Sequence, residues 1–269
     1  MQDPQFIHLR LHSEYSVADG IVRIDDAIAC AVADQMPALA LTDLSNLFGM
    51  VKFSKTARAK GIKPIIGCDV LVAADDPRMP ASRALLLCQN RDGYLRLCDW
   101  LTRAYVQPQQ QRGGACIQPA WFEDGTDGLI ALSGAPGGPH AGEIGSLMAL
   151  GHDESAIDVA KQWARWFPER YYIELQRAGR PDDEEISAAA IEVATAAGLP
   201  VVATHPVQFL QREHYTAHEA RVCISEGAIL ADQRRQRKFT PHQYLKSQDE
   251  MAALFADCPE ALANAVEVA

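Results

Sequence analysis

Along residues 6–12 large apolar side chains alternate with polar ones, the period-two pattern of a strand with one packed face and with His8, Arg10 and His12 on the other. Helical composition follows over residues 23–35, then a short apolar strand over 37–42 that ends at Asp43. Asn46 can cap a helix over 47–60, Gly61 can stop it, and residues 63–73 form a longer strand carrying Cys68 and Asp69. A loop with two prolines separates that strand from the next, over 84–88, and a helix follows over 91–105.

The alternation continues after residues 107–114, a glutamine-rich stretch with a Gly-Gly pair that reads as an exposed connection within one domain. Residues 128–133, 170–176 and 200–204 read as strands; 134–138 read as a tight turn, and 142–150, 154–166 and 183–197 as helices, with Gly198 beyond the last. Strands alternating with helices across short turns predict a parallel sheet, and seven such units fit a closed α/β barrel better than an open doubly wound sheet. No glycine-rich phosphate loop follows any strand to support the open sheet. A barrel gathers the polar residues at its strand ends on one mouth: Arg10, His12, Asp43, Asp69, Arg83, Ser133, and Thr204 with His205.

From Glu213 onward the pattern is helical without strands. One domain over 1–269 is therefore expected, with a barrel over 1–210 and a helical extension over 211–269. The basic run 234–238 reads as a solvated loop, with a phosphate or partner contact as the alternative, before a helix start at Thr240-Pro241. The last run, 259–269, is helical in composition with no stop signal, as expected of the N-terminal piece of a longer protein.

Composition narrows the classes. The 269 residues are 48% hydrophobic, enough for a sizeable core, and no run suits a membrane span or a signal region. A cytoplasmic protein is expected. The net charge of −10 argues against an autonomous nucleic-acid binder, though not against one part of a larger nucleic-acid machine. The seven cysteines are scattered and never spaced C-x-x-C, which points to isolated thiols in a reducing compartment.

Two histidines at a strand end, with Asp19 just beyond, are a ligand set suited to zinc, manganese or iron. Arg10 sits between them, and its permanent charge cannot ligate. The stretch His8-Leu9-Arg10-Leu11-His12-Ser13-Glu14-Tyr15-Ser16 with Asp19-Gly20 resembles the N-terminal PHP (polymerase and histidinol phosphatase) domain found in the bacterial DNA polymerase III alpha subunit family. Thr42-Asp43-Leu44-Ser45-Asn46, Lys63-Pro64-Ile65-Ile66-Gly67-Cys68-Asp69, Glu174-Leu175-Gln176-Arg177 and Pro200-Val201-Val202-Ala203-Thr204 are similar to that family in order and spacing, as is the stretch beginning Glu250-Met251. The resemblance covers the whole chain and implies a distorted seven-unit β/α barrel.

It also implies which positions held metal. Family members that bind metal place histidines and a few acids at the strand ends. Set against them, the first histidine of the opening pair is Arg10, His12 and Asp19 are kept, and the Thr-Asp-His motif becomes Thr42-Asp43-Leu44. The glutamate position is Asp69; later histidine or cysteine positions are Arg83 and Ala135, and the Asp-x-His pair is Pro206-Val207-Gln208. Only His12, Asp19 and Asp69 remain as weak ligand candidates, and His205 is set aside because neighbouring strand residues face opposite ways. A two-metal hydrolytic site needs paired ions. The expectation is instead that Arg10 and Arg83 pair with Asp19, Asp43 or Asp69 and fill a degenerate, non-catalytic site. No metal is expected in the domain.

By the resemblance, the complete subunit makes DNA with magnesium, using carboxylates outside this chain. The domain supports the other polymerase domains and docks the proofreading exonuclease subunit, and DNA is met through the whole subunit. The competing expectation is a residual metal-dependent phosphoesterase, a pyrophosphatase or 3′–5′ exonuclease. Trp163, Trp166 and Phe167 read as packing aromatics, His214 and His218 as surface histidines, and His140 and His152 carry no assigned role.

Overall fold

The computed structural model describes residues 4–74, 76, 78–107, 114–137, 141–232 and 234–269. His140 and the interior of the 107–114 connection lie outside the described residues. Strands β1 (Ala38–Leu41), β2 (Lys63–Val72), β3 (Ser82–Cys88), β4 (Cys116–Ile117), β5 (Leu129–Leu132), β6 (Tyr171–Gln176) and β7 (Val201–Thr204) form one curled sheet. Its path is β1-β2-β3-β5-β6-β7, with β4 attached to β2. Helices α1 (Ile24–Ala33), α2 (Met50–Ala59), α3 (Arg91–Val106), α4 (Glu143–Ala149), α5 (Asp153–Trp166) and α6 (Asp183–Ala197) interleave with the strands. Helices α7 (Tyr215–Glu226), α8 (Gln248–Leu254) and α9 (Pro259–Val268) follow.

The expected all-parallel repeat fails at β3, which runs antiparallel to both neighbours: Gly67 faces Leu87 on one side and Leu85 faces Leu132 on the other. The reason is connection length. A parallel crossover needs roughly a dozen residues, commonly a helix, and only nine residues, 73–81, separate β2 from β3. The chain must turn back as a hairpin. The remaining pairs, β1 with β2, β2 with β4, β5 with β6 and β6 with β7, are parallel as expected.

The opening stretch does not form a continuous ladder. It runs between β1 and the chain after β7, taking Ala40 N–H on His8 O (2.9 Å) and Thr42 N–H on Leu11 O (3.0 Å). On the far side His12 N–H donates to Val207 O at 3.0 Å, and Leu11 pairs with Val207. The first residues thus join the two ends of the sheet.

Apolar side chains fill two regions. The larger packs α3, α5, α6 and α9 on the sheet, around Leu85, Leu97, Trp100, Phe122, Ile173 and Val202. The smaller joins α1, α2 and Leu11 to Val207. Phe122 lies 5.2 Å from Trp100, Trp163 and Trp166 and 5.7 Å from Phe167, ring centre to centre, so these aromatics are packing groups, as expected. After α7 the chain is not purely helical. Tyr244 pairs with Phe209, and Gln208 N–H and Leu245 N–H bond Gln243 O (2.9 Å) and Phe209 O (3.0 Å). Thr240-Pro241 opens a turn within this strap rather than a helix, and α8 starts later, at a Ser247–Glu250 capping box. The cap of α2 also differs: its N-cap is Gly49, while Asn46 donates to Tyr15 O and Leu44 O at 3.1 and 2.9 Å. Among the described residues no helix is long and apolar enough to cross a membrane.

Replacing Phe122 by Ala removes the centre of the aromatic group and leaves a cavity among rings that cannot collapse. A loss of about 3–5 kcal/mol in unfolding free energy is expected, measured by chemical denaturation.

Candidate functional site

Four segments of the chain bring charge together. Arg10 comes from the opening stretch, Asp69 from β2, Arg83 from β3 and Glu174 from β6, and all are buried. Arg10 donates from Nε and Nη2 to Glu174 Oε1 and Oε2 at 2.8 and 2.9 Å, a two-pronged pair that suits a planar guanidinium. Its Nη1 reaches Asp69 Oδ2 at 2.6 Å. The same oxygen accepts from His12 Nε2 at 3.1 Å and Arg83 Nη1 at 3.2 Å. Asp19 closes the cluster, its Oδ1 2.9 Å from His12 Nδ1 and its Oδ2 3.3 Å from Arg83 Nη2.

The electrostatics follow from this geometry. Burial disfavours the charged form of His12, but the carboxylates of Asp19 and Asp69 outweigh it and raise its pKa to about 9. The ring is an imidazolium at neutral pH and donates from both nitrogens. Burial pushes the Asp69 carboxyl up, yet Arg10, Arg83 and His12 together hold it well below the usual carboxylate range. Three cations, Arg10, Arg83 and His12, therefore meet three anions, Asp19, Asp69 and Glu174. The cleft above them, lined also by Ala135, Gln176, Pro206 and Gln208, is about 30 Å³, about the room of one water.

Not every expected member is in the cluster. Asp43 was expected among the arginine partners; instead it accepts from Ser13 N–H (2.6 Å), Ser13 Oγ (2.9 Å) and Ser16 Oγ (2.8 Å), and so pins the 13–20 turn to β1. Burial raises its pKa. Leu44 supplies backbone, its N–H bonded to Ser16 Oγ at 2.9 Å. Ala135 holds a turn by accepting from Gly142 N–H at 2.8 Å. Gln208 places its amide 3.5 Å from His12 Nδ1, and Pro206 O takes the Gln243 amide at 3.4 Å. Ser133 Oγ accepts the Glu174 N–H at 2.9 Å, and Thr204 Oγ1 bonds Glu174 Oε1, so both steady the glutamate.

Glu174 itself escaped the sequence reading as a site member. The available signal was parity, because Glu174 and Gln176 share one face of a strand otherwise made of apolar and aromatic residues. His205 faces away from the acids, as parity predicts, with Nε2 2.9 Å from His242 O. His8 likewise leaves the cluster, bonding Lys246 O at 2.8 Å, and burial lowers its pKa to about 4. His214 is exposed as expected, but His218 is fully buried, its Nε2 2.9 Å from Asp19 O. In the basic loop Arg235 turns inward onto Glu219 and Lys238 pairs with Glu226 at 2.6 Å.

Asp19 and Asp69, the acids that would ligate a metal, are engaged by cations. Two guanidinium groups occupy hydrogen-bonding positions on the carboxylates that would ligate, and among the described residues no three His, Cys, Asp or Glu side chains are placed to share an ion. Fold and site together define an α/β domain whose curled sheet gathers charged side chains at one mouth. The chain belongs to the PHP domain family, whose pattern matches residues 8–178. It is 46% identical, over 271 aligned residues, to the DNA polymerase III subunit alpha of Neisseria meningitidis serogroup B, and 42% identical over 273 residues to that of Escherichia coli. Both alignments cover all of this chain and 23% of the relative, so the chain spans about a quarter of the length of these curated relatives. Among solved structures, an amidohydrolase from Chromobacterium violaceum with bound sulfate and no metal aligns over 80% of this chain and 96% of that one, at TM-score 0.49 and 13% identity.

The raised His12 pKa fixes the sign of an alkaline effect. Its contribution is complete below the unfolded value of 6.5 and is lost as pH rises through about 9. Urea unfolding between those values is expected to show falling stability in the parent chain and a flatter profile in His12→Gln. On the acid side His8, neutral when folded down to about pH 4, makes stability fall as pH drops below 6.5.

Proposed function

We propose that this chain is the N-terminal PHP domain of a replicative DNA polymerase alpha subunit, and that its barrel mouth is a structural ion-pair network without catalytic activity. The observation that carries the reading is Asp69 Oδ2, which receives Arg10, Arg83 and His12 together. A cation cannot take up the same oxygen without displacing them. In this reading the domain braces the remaining polymerase domains of the same chain and docks a proofreading exonuclease subunit. Template-directed synthesis with magnesium belongs to parts of the subunit beyond this chain, and DNA is reached through them, in the cytoplasm. The whole-length similarity to alpha subunits supports this assignment.

One observation favours a second reading, a residual single-metal phosphoesterase. Asp69 Oδ1 is buried without a hydrogen-bond partner, beside His12 and within one network with Asp19. A lone ion held there would activate water for phosphate ester hydrolysis. The two readings separate in one set of measurements. Under the structural reading, elemental analysis of the purified chain finds no stoichiometric zinc or manganese, and manganese does not stimulate hydrolysis of a chromogenic phosphate ester. Asp69→Ala then costs about 3–5 kcal/mol of stability, because it strands buried guanidinium groups. Hydrolysis that needs manganese and disappears in Asp69→Asn would establish the enzyme reading instead.

A further inference from the structure

The acidic balance of the chain conceals one strongly basic face. From Leu44 to Cys68 there is no aspartate or glutamate, while Lys52, Lys55, Arg58, Lys60 and Lys63 all fall within it. Most of them lie on or just after α2. At a turn of 3.6 residues, positions 51, 55 and 58 share one stripe, and residue 48 enters the helix on the same side. The opposite stripe is the packed one, through Phe53 and Ala57.

The stripe has two chemically different ends. At the N-terminal end Phe48 is 71% exposed and Val51 56% exposed, large apolar side chains left in water beside one another. The C-terminal end carries Lys55 and Arg58, with Lys60 just past the helix on another side; all three are exposed, and none forms an ion pair among the described residues. Lys52 is the exception, taken by Asp25 at 3.2 Å and Glu14 at 3.9 Å. The helix dipole accounts for a cation in the last turn. It does not account for an exposed phenylalanine one stripe-length away, nor for three unpaired cations in a chain of net charge −10. Single exposed apolar residues are ordinary, but an exposed phenylalanine on one stripe with an arginine matches the residue types enriched where proteins anchor partners.

We propose that the outer face of α2 is a docking surface for an acidic amphipathic protein segment. The partner's apolar residues would sit on Phe48 and Val51, and its carboxylates on Lys55 and Arg58. Charge complementarity selects this class of occupant. A nucleic-acid strand would demand cations along its whole path, whereas here Lys52 is taken by Asp25 and Glu14 and the stripe ends in the apolar Phe48 and Val51. None of Phe48, Val51, Lys55 and Arg58 lines the cleft at Asp69, so the inference does not depend on whether that cleft holds a metal.

The test is fluorescence anisotropy with the whole chain and a labelled synthetic helix that carries leucines at one end and glutamates at the other. Binding that weakens as salt is raised is expected, because exposed charge pairs are screened. Lys55→Glu combined with Arg58→Glu should weaken it at least tenfold, and Phe48→Ser should weaken it in a way that salt does not mimic. Arg234→Glu with Arg237→Glu, a change of equal charge elsewhere, should leave it unaltered. All of these side chains are exposed, and matching thermal melts of each variant confirm that the fold is kept. Absence of binding, binding indifferent to both α2 variants, or preferential capture of a labelled single-stranded oligonucleotide by the same face would overturn the proposal.

Discussion

One carboxylate oxygen organises the mouth of this domain. Asp69 Oδ2 accepts from Arg10, His12 and Arg83, and through them it ties the opening stretch, the 13–20 turn, β3 and β6 into one charge-neutral unit. In a medium of low dielectric such a cluster holds only when every charge is matched, since a buried ion without a counter-charge costs several kcal/mol. That constraint explains the supporting polar groups as well. Ser133 and Thr204 orient Glu174 so that both its oxygens face Arg10.

The histidines show how placement decides chemistry. His8, His12, His205 and His218 are all buried, yet only His12 lies against carboxylate side chains and carries a proton at neutral pH. His8 and His205 instead meet backbone carbonyls of the strap that crosses residues 206–209, and burial keeps them neutral. A polar residue on the right strand face is therefore only half of a ligand; the other half is what faces it.

Much of this was legible in the sequence. Among the described residues, six of the strands and seven of the helices lie close to where periodicity put them, because each carries its own apolar stripe or run, whereas α7 and α8 fall in a region read only as helical, with a start at Thr240-Pro241 that the chain does not use. The antiparallel β3 was hidden, since strand direction depends on what the connection can span rather than on the pattern of the strand. Arg10 and Arg83 announced themselves as cations among ligand positions. Glu174 did not, because the family-like stretch it opens carries no assigned ligand position and it lies within β6 rather than at its end, and Asp43 misled because the serines that hold it are polar residues of an ordinary turn. The His218 burial comes from α7 packing on the 13–20 turn, a contact with no local signature.

The seam between the opening stretch and Val207 has a consequence for how the domain is made. Leu11 must wait for a neighbour 196 residues later in the chain before its second side is covered. At synthesis rates of about 5–20 residues per second, the first segment emerges roughly 10–40 s before the strand that completes its surroundings. For most of that interval, roughly 8–33 s, Arg10 is on hand without Glu174, 164 residues later, and the ion cluster cannot assemble. The N-terminal end, first to be synthesised, is among the last parts of the barrel to reach its final environment, and the ribosome-bound chain carries an open sheet edge until then.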